Sequence, residues 1–270
     1  MVGNIHLKQS IKGLWKKNLL LCAALFLFEM LFALLGTSIE IQKSFVKDLD
    51  DIPPMVQKMM GEGFIESMLK YGIIAVGYVH PFMLIIFILF VFMSASQMLT
   101  SEIGSGTIGF TLSKPVSRKR IYLNLSIITC AGTALLALST YLSSLFGILL
   151  FHPQKLNTEP FIHLAWNLFL LMVFIFGYIA LFAAVSDSGK KLFTYGGTTL
   201  FVFYLLSFAA PLWKPLEYLA PLNPFSYFKP MALLMGERIG LSTSLSIIAV
   251  SAAMLVTGAF IFSRRDISNG

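Results

Sequence analysis

One ionisable residue, Glu29, falls deep inside an apolar run that extends from Leu19 to Ile39. A charge at that depth costs about 2.5–3.5 kcal/mol on insertion scales, so the carboxyl must face protein or water. Two roles fit it. It contacts a cationic or polar substrate in a cavity, or it is a protonated or paired acid bonded to Ser, Tyr or Asn on a neighbouring segment. Gly104, Gly106 and Gly109 spell a literal GxGxxG. That spacing cradles a dinucleotide only between a strand and a helix, with an acid about 20 residues on. Here one apolar run precedes it and another follows Arg120, so the spacing is coincidental. No GxxxxGKS or GxxxxGKT occurs, so the chain is not expected to cradle ATP itself. His6, His80, His152 and His163 are widely spaced, and none pairs with a Cys at metal-ligand spacing. Cys22 and Cys130 lie in apolar runs and read as small apolar residues. No Ser, His and acid set converges, so neither an enzyme nor a resident cofactor is expected.

Those residues sit in an unusual chain. Of 270 residues, 57% are hydrophobic and only 12% charged, against about 25% charged in soluble domains. So few charges cannot clothe a soluble enzyme of this size, and a disordered chain is never this apolar. A polytopic membrane protein remains. Two Cys exclude a disulfide scaffold and a Cys-based zinc module. The formal charge is +7. No basic run alternates with aromatics outside the apolar segments, so nucleic acid is not an expected partner.

About 20 apolar residues cross the hydrocarbon as a helix, because lipid leaves no partner for open backbone. Six such runs are expected as spans of a single all-α transmembrane domain: Leu19–Ile39, Ile73–Leu99, Ile121–Phe151, Phe161–Val185, Leu192–Leu212 and Leu241–Phe262. The third exceeds what a bilayer needs and should tilt or extend into water. The first is too long for a signal-peptide core and reads as an uncleaved anchor. Orientation follows Lys and Arg. The amino-terminal side carries Lys8, Lys12, Lys16, Lys17, Lys114, Arg118, Lys119, Arg120, Lys190, Lys191, Arg264 and Arg265 against Glu102, Asp187 and Asp266, a net +9. The opposite side is net −1. Both termini are therefore expected in the cytoplasm, with the chain in the cell membrane.

The flanking segments have readings of their own. Ile5–Lys17 spaces Ile5, Ile11, Leu14 and Trp15 among lysines, which suits an amphipathic helix in the inner headgroup region or a basic flank that orients the first span. The outer loop 40–72 carries Val56, Met59, Met60 and Phe64 on one side of a short helix, either a lid on the bundle or a substrate-capture element. In the tight turn Ser186–Lys191, Asp187 caps or pairs locally with Lys190 or Lys191, or Asp187 and Lys190 make a cytoplasmic contact with a partner. Ser251, Ala252 and Gly258 in the sixth run and Gly196-Gly197 in the fifth permit close helix approach, within the bundle or at a dimer seam.

The segment Ser101–Arg120, SEIGSGTIGFTLSKPVSRKR, mixes an acid, three glycines, isolated apolar residues and a basic end. Ile103, Ile108, Phe110 and Leu112 are too few to form a core and suit a groove on another protein. Pro115 stops a helix, and Arg118–Arg120 pin the third span at the phosphates. Glu102–Arg120, with Gly106-Thr107, Leu112-Ser113, Pro115-Val116 and Ser117-Arg118, resembles the cytoplasmic signature of ABC-2 type transporter permeases. Phe262–Ile267 (FSRRDI) resembles the ending of that family, and Ala220–Pro230, with Asn223-Pro224-Phe225, its proline-bearing outer segment. The resemblance implies a six-helix ABC-2 permease-like bundle that pairs as a homodimer or heterodimer and docks two cytoplasmic ABC ATPase subunits, which hold the ATP and Mg. It further implies a short coupling helix at 101–114, with Glu102, Ile103, Thr107, Ile108, Phe110, Leu112 and Lys114 as the contacting residues. Outer re-entrant helices are implied at 213–240, where Pro211, Pro215, Pro221, Pro224 and Pro230 break the chain.

An exporter permease moved by separate ATPases is thus the leading expectation. An ion-coupled carrier acting alone would show internal repeats, broken helices at mid-depth and more buried charge. A non-transporting membrane scaffold for an ATPase shares every sequence feature with the exporter.

Overall fold

The computed structural model describes residues 3–38, 44, 47, 52–60, 64–71, 73–100, 117–151 and 156–265, with side chains for all of these except 3–11, 60 and 98. Among them the chain is helical with no strand. Six helical stretches are long and apolar enough to cross a membrane: Lys12–Leu35, Ile73–Ala95, Arg118–Phe151, Glu159–Val185, Gly189–Leu212 and Leu241–Arg264.

Helix α1 runs unbroken from Gly3 to Leu35, so the basic amino-terminal stretch continues the axis of the first span. Two short helices, α2 (Pro54–Met60) and α3 (Phe64–Tyr71), follow from the loop. The second span departs from the single helix expected over 73–99. It consists of α4 (Ile73–Val79) and α5 (Pro81–Ala95), separated at His80 and followed by a π-helical turn over Ser96–Thr100. Pro81 causes the break, since it has no N–H to return to the Gly77 carbonyl four residues earlier. His80 caps α5 by accepting the Phe82 N–H at 3.2 Å on Nδ1. Helices α6 (Arg118–Phe151) and α7 (Glu159–Val185) form spans three and four. Span five is composite: α8 (Gly189–Leu192), a π turn (Phe193–Gly197), α9 (Thr198–Ala209) and a 3₁₀ turn (Ala210–Leu212). Beyond it the segment 213–240 folds as α10 (Lys214–Glu217), two 3₁₀ turns and α11 (Pro230–Leu234). Span six is α12 (Leu241–Arg264).

Lipid is as apolar as Leu, so helix association in a bilayer rests on close packing and interhelical hydrogen bonds rather than on hydropathy. Two parallel seams meet that requirement. Along α1 and α6, Asn18 Nδ2 donates to the Gly132 carbonyl at 3.1 Å, Ser139 Oγ to Cys22 O at 2.8 Å, and Ser143 Oγ to Phe26 O at 2.6 Å. Gly147 lets α6 approach Ala33. The partner numbers rise together, as they must for the first and third spans of a chain that alternates direction. Along α7 and α12, Trp166 Nε1 lies 3.4 Å from Ser244 Oγ, Gly177 rests on Ser251, and Gly258 receives the Tyr122 ring from α6. Ser251 and Gly258 therefore pack inside the bundle, whereas Ala252 is exposed. Helix α7 packs against α5, α6 and α12 and is the most enclosed span, with 61% of its apolar window buried against 17% for span five.

A Cβ at Gly147 would stand 2.5 Å from the Ala33 Cβ. Gly147→Leu should overpack this seam and lower stability by about 1–3 kcal/mol, read as a reduced melting midpoint in detergent. At Gly197 nothing lies nearer than 3.7 Å, and Gly197→Ala should hold or raise the midpoint, because Ala is the better helix former.

Candidate functional site

Spans two and three are joined through 101–116, which lie outside the described residues together with the expected contacts Glu102, Ile103, Thr107, Ile108, Phe110, Leu112 and Lys114. The two roots of that segment are described. On the outgoing side, the π turn ends at Thr100, whose Oγ1 lies 3.4 Å from both the oxygen and Oγ of Ser96. On the returning side, Ser117 starts α6 by accepting the Arg120 N–H, at 2.9 Å on its carbonyl and 3.3 Å on Oγ.

A single residue near the end of the described chain ties this region together. Arg265 Nη1 donates to the carbonyls of Ala184 at 3.2 Å and Ser186 at 2.9 Å, and Nη2 to Asp187 Oδ1. Its own carbonyl accepts from the Arg118 guanidinium at the head of α6. The other Asp187 oxygen pairs with Lys191 Nζ at 2.7 Å. The open carbonyls at the end of α7 are thus satisfied by a cation, which also matches the negative end of that helix. Gly189 brings the same turn against the π turn: a Cβ there would stand 2.6 Å from Ser96 Oγ. Both roots of 101–116 therefore bear on one brace, Arg118–Arg265–Asp187 on one side and Gly189–Ser96 on the other. Lys17 adds a contact to Gln97 at 3.3 Å.

Of the residues singled out in this turn, Asp187 takes the local pairing with Lys191 and adds Arg265, while Lys190 is exposed. Arg265 was legible only as a positive charge and as part of the FSRRDI ending, because the partners of its guanidinium lie 78 to 81 residues away in the chain. Hydrogen bonding from Lys191, with the charge of Arg265 behind it, holds the Asp187 carboxyl below the usual carboxylate range.

Glu29 lies elsewhere in the bundle. It is 1% exposed, with neither carboxyl oxygen hydrogen-bonded, and it rests against Gly77 in α4. The neighbouring hydroxyl, Tyr78 OH, is instead 2.5 Å from Ser144 Oγ. At the end of the bundle away from Arg265, Asn167 of α7 holds the 213–240 segment. Its Nδ2 donates to Tyr227 O at 2.8 Å, and its Oδ1 accepts the Lys229 N–H at 3.3 Å. Asn223 ties the segment to α9 through Phe203 O at 2.8 Å. The Asn167 clamp carried one faint sequence signal, a lone amide inside an apolar run.

Among the described residues no group of three His, Cys, Asp or Glu is placed to hold a metal ion. A family model described as "Multidrug efflux system permease Rv1217c, C-terminal domain" matches residues 17–263, a range that takes in nearly all of the six spans. No curated protein matches the chain.

Asp187 has its pKa lowered in the folded state, so its pairs stabilise the turn at and above the ordinary carboxylate range near pH 4, and that stability is lost as pH falls through the lowered value. Arg265→Ala removes two carbonyl bonds and the ion pair together, while leaving in place the backbone oxygen that accepts from Arg118. It should lower the melting midpoint more than Asp187→Asn, and Lys191→Ala least, since exposed pairs contribute about 0–1 kcal/mol.

Proposed function

The chain belongs to this ABC-2 type permease family, and from that premise we propose that it is the transmembrane subunit of an ATP-driven exporter, coupled to a separate pair of cytoplasmic ABC ATPase subunits. The family match over residues 17–263 carries the reading. A family of permeases makes the chain a transport subunit rather than an enzyme. ATP and Mg then belong to the partner. The basic end faces the cytoplasm by the positive-inside bias, which puts both termini there and 101–114 within reach of the ATPase. In this reading Glu102, Ile103, Thr107, Ile108, Phe110, Leu112 and Lys114 contact the ATPase as a coupling helix, with Asp187 and Lys190 as a second contact on the adjacent turn.

The roots of 101–116 support that assignment on mechanical grounds. A pull on the segment reaches α5 through the π turn and α6 through Arg118, and Arg118 shares the Arg265 brace with α7 and α12. A rigid-body switch of packed helices follows from such a clasp more readily than from a floppy tether. The chain acts as one of two permease halves in the cell membrane, as homodimer or heterodimer. The 213–240 segment, held by Asn167 and Asn223, closes the exit as re-entrant turns. The family description names multidrug efflux, and amphipathic compounds are the substrate class we assign. Glu29 belongs to the pathway. It is enclosed here, so it meets substrate only when α1 and α4 part.

The break at His80–Pro81 beside a buried acid favours one other reading, a carrier working without an ATPase. Affinity purification from the native membrane separates the two. A P-loop ATPase should accompany the wild-type chain, and deletion of Gly104–Leu112 should release it while the six spans still insert. Full transport by the reconstituted chain alone would overturn the coupled reading. So would labelling of a cysteine placed in 104–112 by an impermeant thiol reagent added outside intact cells. Glu29→Gln should impair transport more than assembly, and equal transport by that variant would take Glu29 off the pathway.

A further inference from the structure

We infer that Glu29 is a proton-binding site, built where the second span is broken and closed by the seating of its carboxyl on Gly77. The pieces are independent of one another. Pro81 offers no N–H to the Gly77 carbonyl, and the next N–H, of Phe82, is held by His80 Nδ1. Gly77 is the residue on which the acid lies: a Cβ there would stand 2.5 Å from Glu29 Oε2 and 2.9 Å from Oε1, so any other side chain would push the carboxyl off this seat. The acid is 1% exposed, and neither oxygen has a hydrogen-bond partner.

A bare carboxylate in that seat would leave all its acceptor sites unanswered, in a place that water does not reach. Unpaired buried charges are disfavoured so strongly that such groups neutralise instead. A bound proton removes the charge and supplies one O–H donor. The titratable groups around the seat do not offer an alternative. From α4, Tyr78 spends its hydroxyl on Ser144 Oγ at 2.5 Å and lies 3.5 Å from Thr140 O. From α6 comes Tyr141, and at the head of α5 His80 packs against both Phe28 and Phe32, with ring centroids at 5.5 and 6.1 Å. From α7 the nearest ring to Tyr78 is Phe161, at 5.8 Å. Among the described residues no Lys or Arg pairs with Glu29.

Helix α4 is seven residues long and separated from α5 at His80. While it covers Glu29 the acid keeps its proton; when it swings away, water reaches the carboxyl and the proton leaves. What the released proton does in transport rests on the pathway role given to Glu29 above, but its seating does not.

Infrared spectroscopy of the purified chain in lipid nanodiscs at pH 7 tests the site without any partner. The carbonyl stretch of a protonated carboxyl should be present in the wild type and lost in Glu29→Gln, an isosteric change that should leave the melting midpoint in place. Gly77→Ala, which adds the Cβ the seat excludes, should shift or abolish that band. A wild-type spectrum with no band removed by Glu29→Gln overturns the proposal, and a band unmoved by Gly77→Ala overturns the seat. Neither result depends on an ATPase, so failure here and failure of the coupled reading are separable.

Discussion

In hydrocarbon a polar group has no partner except the protein, and the seam between α1 and α6 is built around that constraint. Asn18, Ser139 and Ser143 each give a side-chain donor to a carbonyl of the facing helix. A carbonyl has two lone pairs, so it accepts this second bond without surrendering its place in its own helix. The same hydroxyls and glycines are small, which lets the backbones come close enough for those bonds to form. Close approach and polar satisfaction are thus one requirement rather than two. Further along the seam, Ala33 against Gly147 continues the close approach.

At the basic end the constraint changes character. Water and headgroups are available there, and the exposed pair Asp187–Lys191 adds little to stability. Arg265 matters for a different reason. Its guanidinium is a planar fork whose donors reach the Ala184 and Ser186 carbonyls and the Asp187 carboxylate at once, and its backbone oxygen takes Arg118. A lysine has one point of charge and cannot span that set. One residue thereby fixes the ends of α7 and α12 to the beginning of α6, the helix that receives the 101–116 segment. Force applied to that segment is shared among helices rather than lost in one of them.

The six spans were legible because span length and apolarity are local properties. Ser251 and Gly258 were legible as packing residues for the same reason. The break in span two was not drawn from the unbroken apolar stretch Phe82–Met93, since hydropathy says nothing about a missing N–H at Pro81; the proline itself was the signal. The π turns at Ser96–Thr100 and Phe193–Gly197 have no side-chain signature in the sequence. The partners of Arg265 and Asn167 are set by tertiary approach over 60 or more residues of chain. For Glu29 the sequence left open a paired acid, a protonated acid or a substrate contact. Burial without a partner is information only the packed bundle holds.

The break and the acid also explain each other. A proline inside a span weakens the helix, and evolutionary tolerance of that cost requires that something re-satisfy or exploit the freed backbone. A glycine four residues before it weakens the same turn again, by about 1 kcal/mol relative to Ala. Two weakening residues in register, with a carboxyl of the neighbouring helix seated on the glycine, are hard to reconcile with a static strut, because a strut would be better served by Ala and Leu at both positions. They fit a short helix that changes its contact with α1. The third helix of the group, α6, supplies what such a movable piece needs, a fixed backing: Ser139 and Ser143 hold α1 in place, while Ser144, one residue further along α6, faces Tyr78 of α4. The α1 bonds are spread over Asn18, Ser139 and Ser143, whereas the bonds from α4 to α6 among the described residues all use the single Tyr78 hydroxyl, so α4 is the element of the three that can let go at least cost.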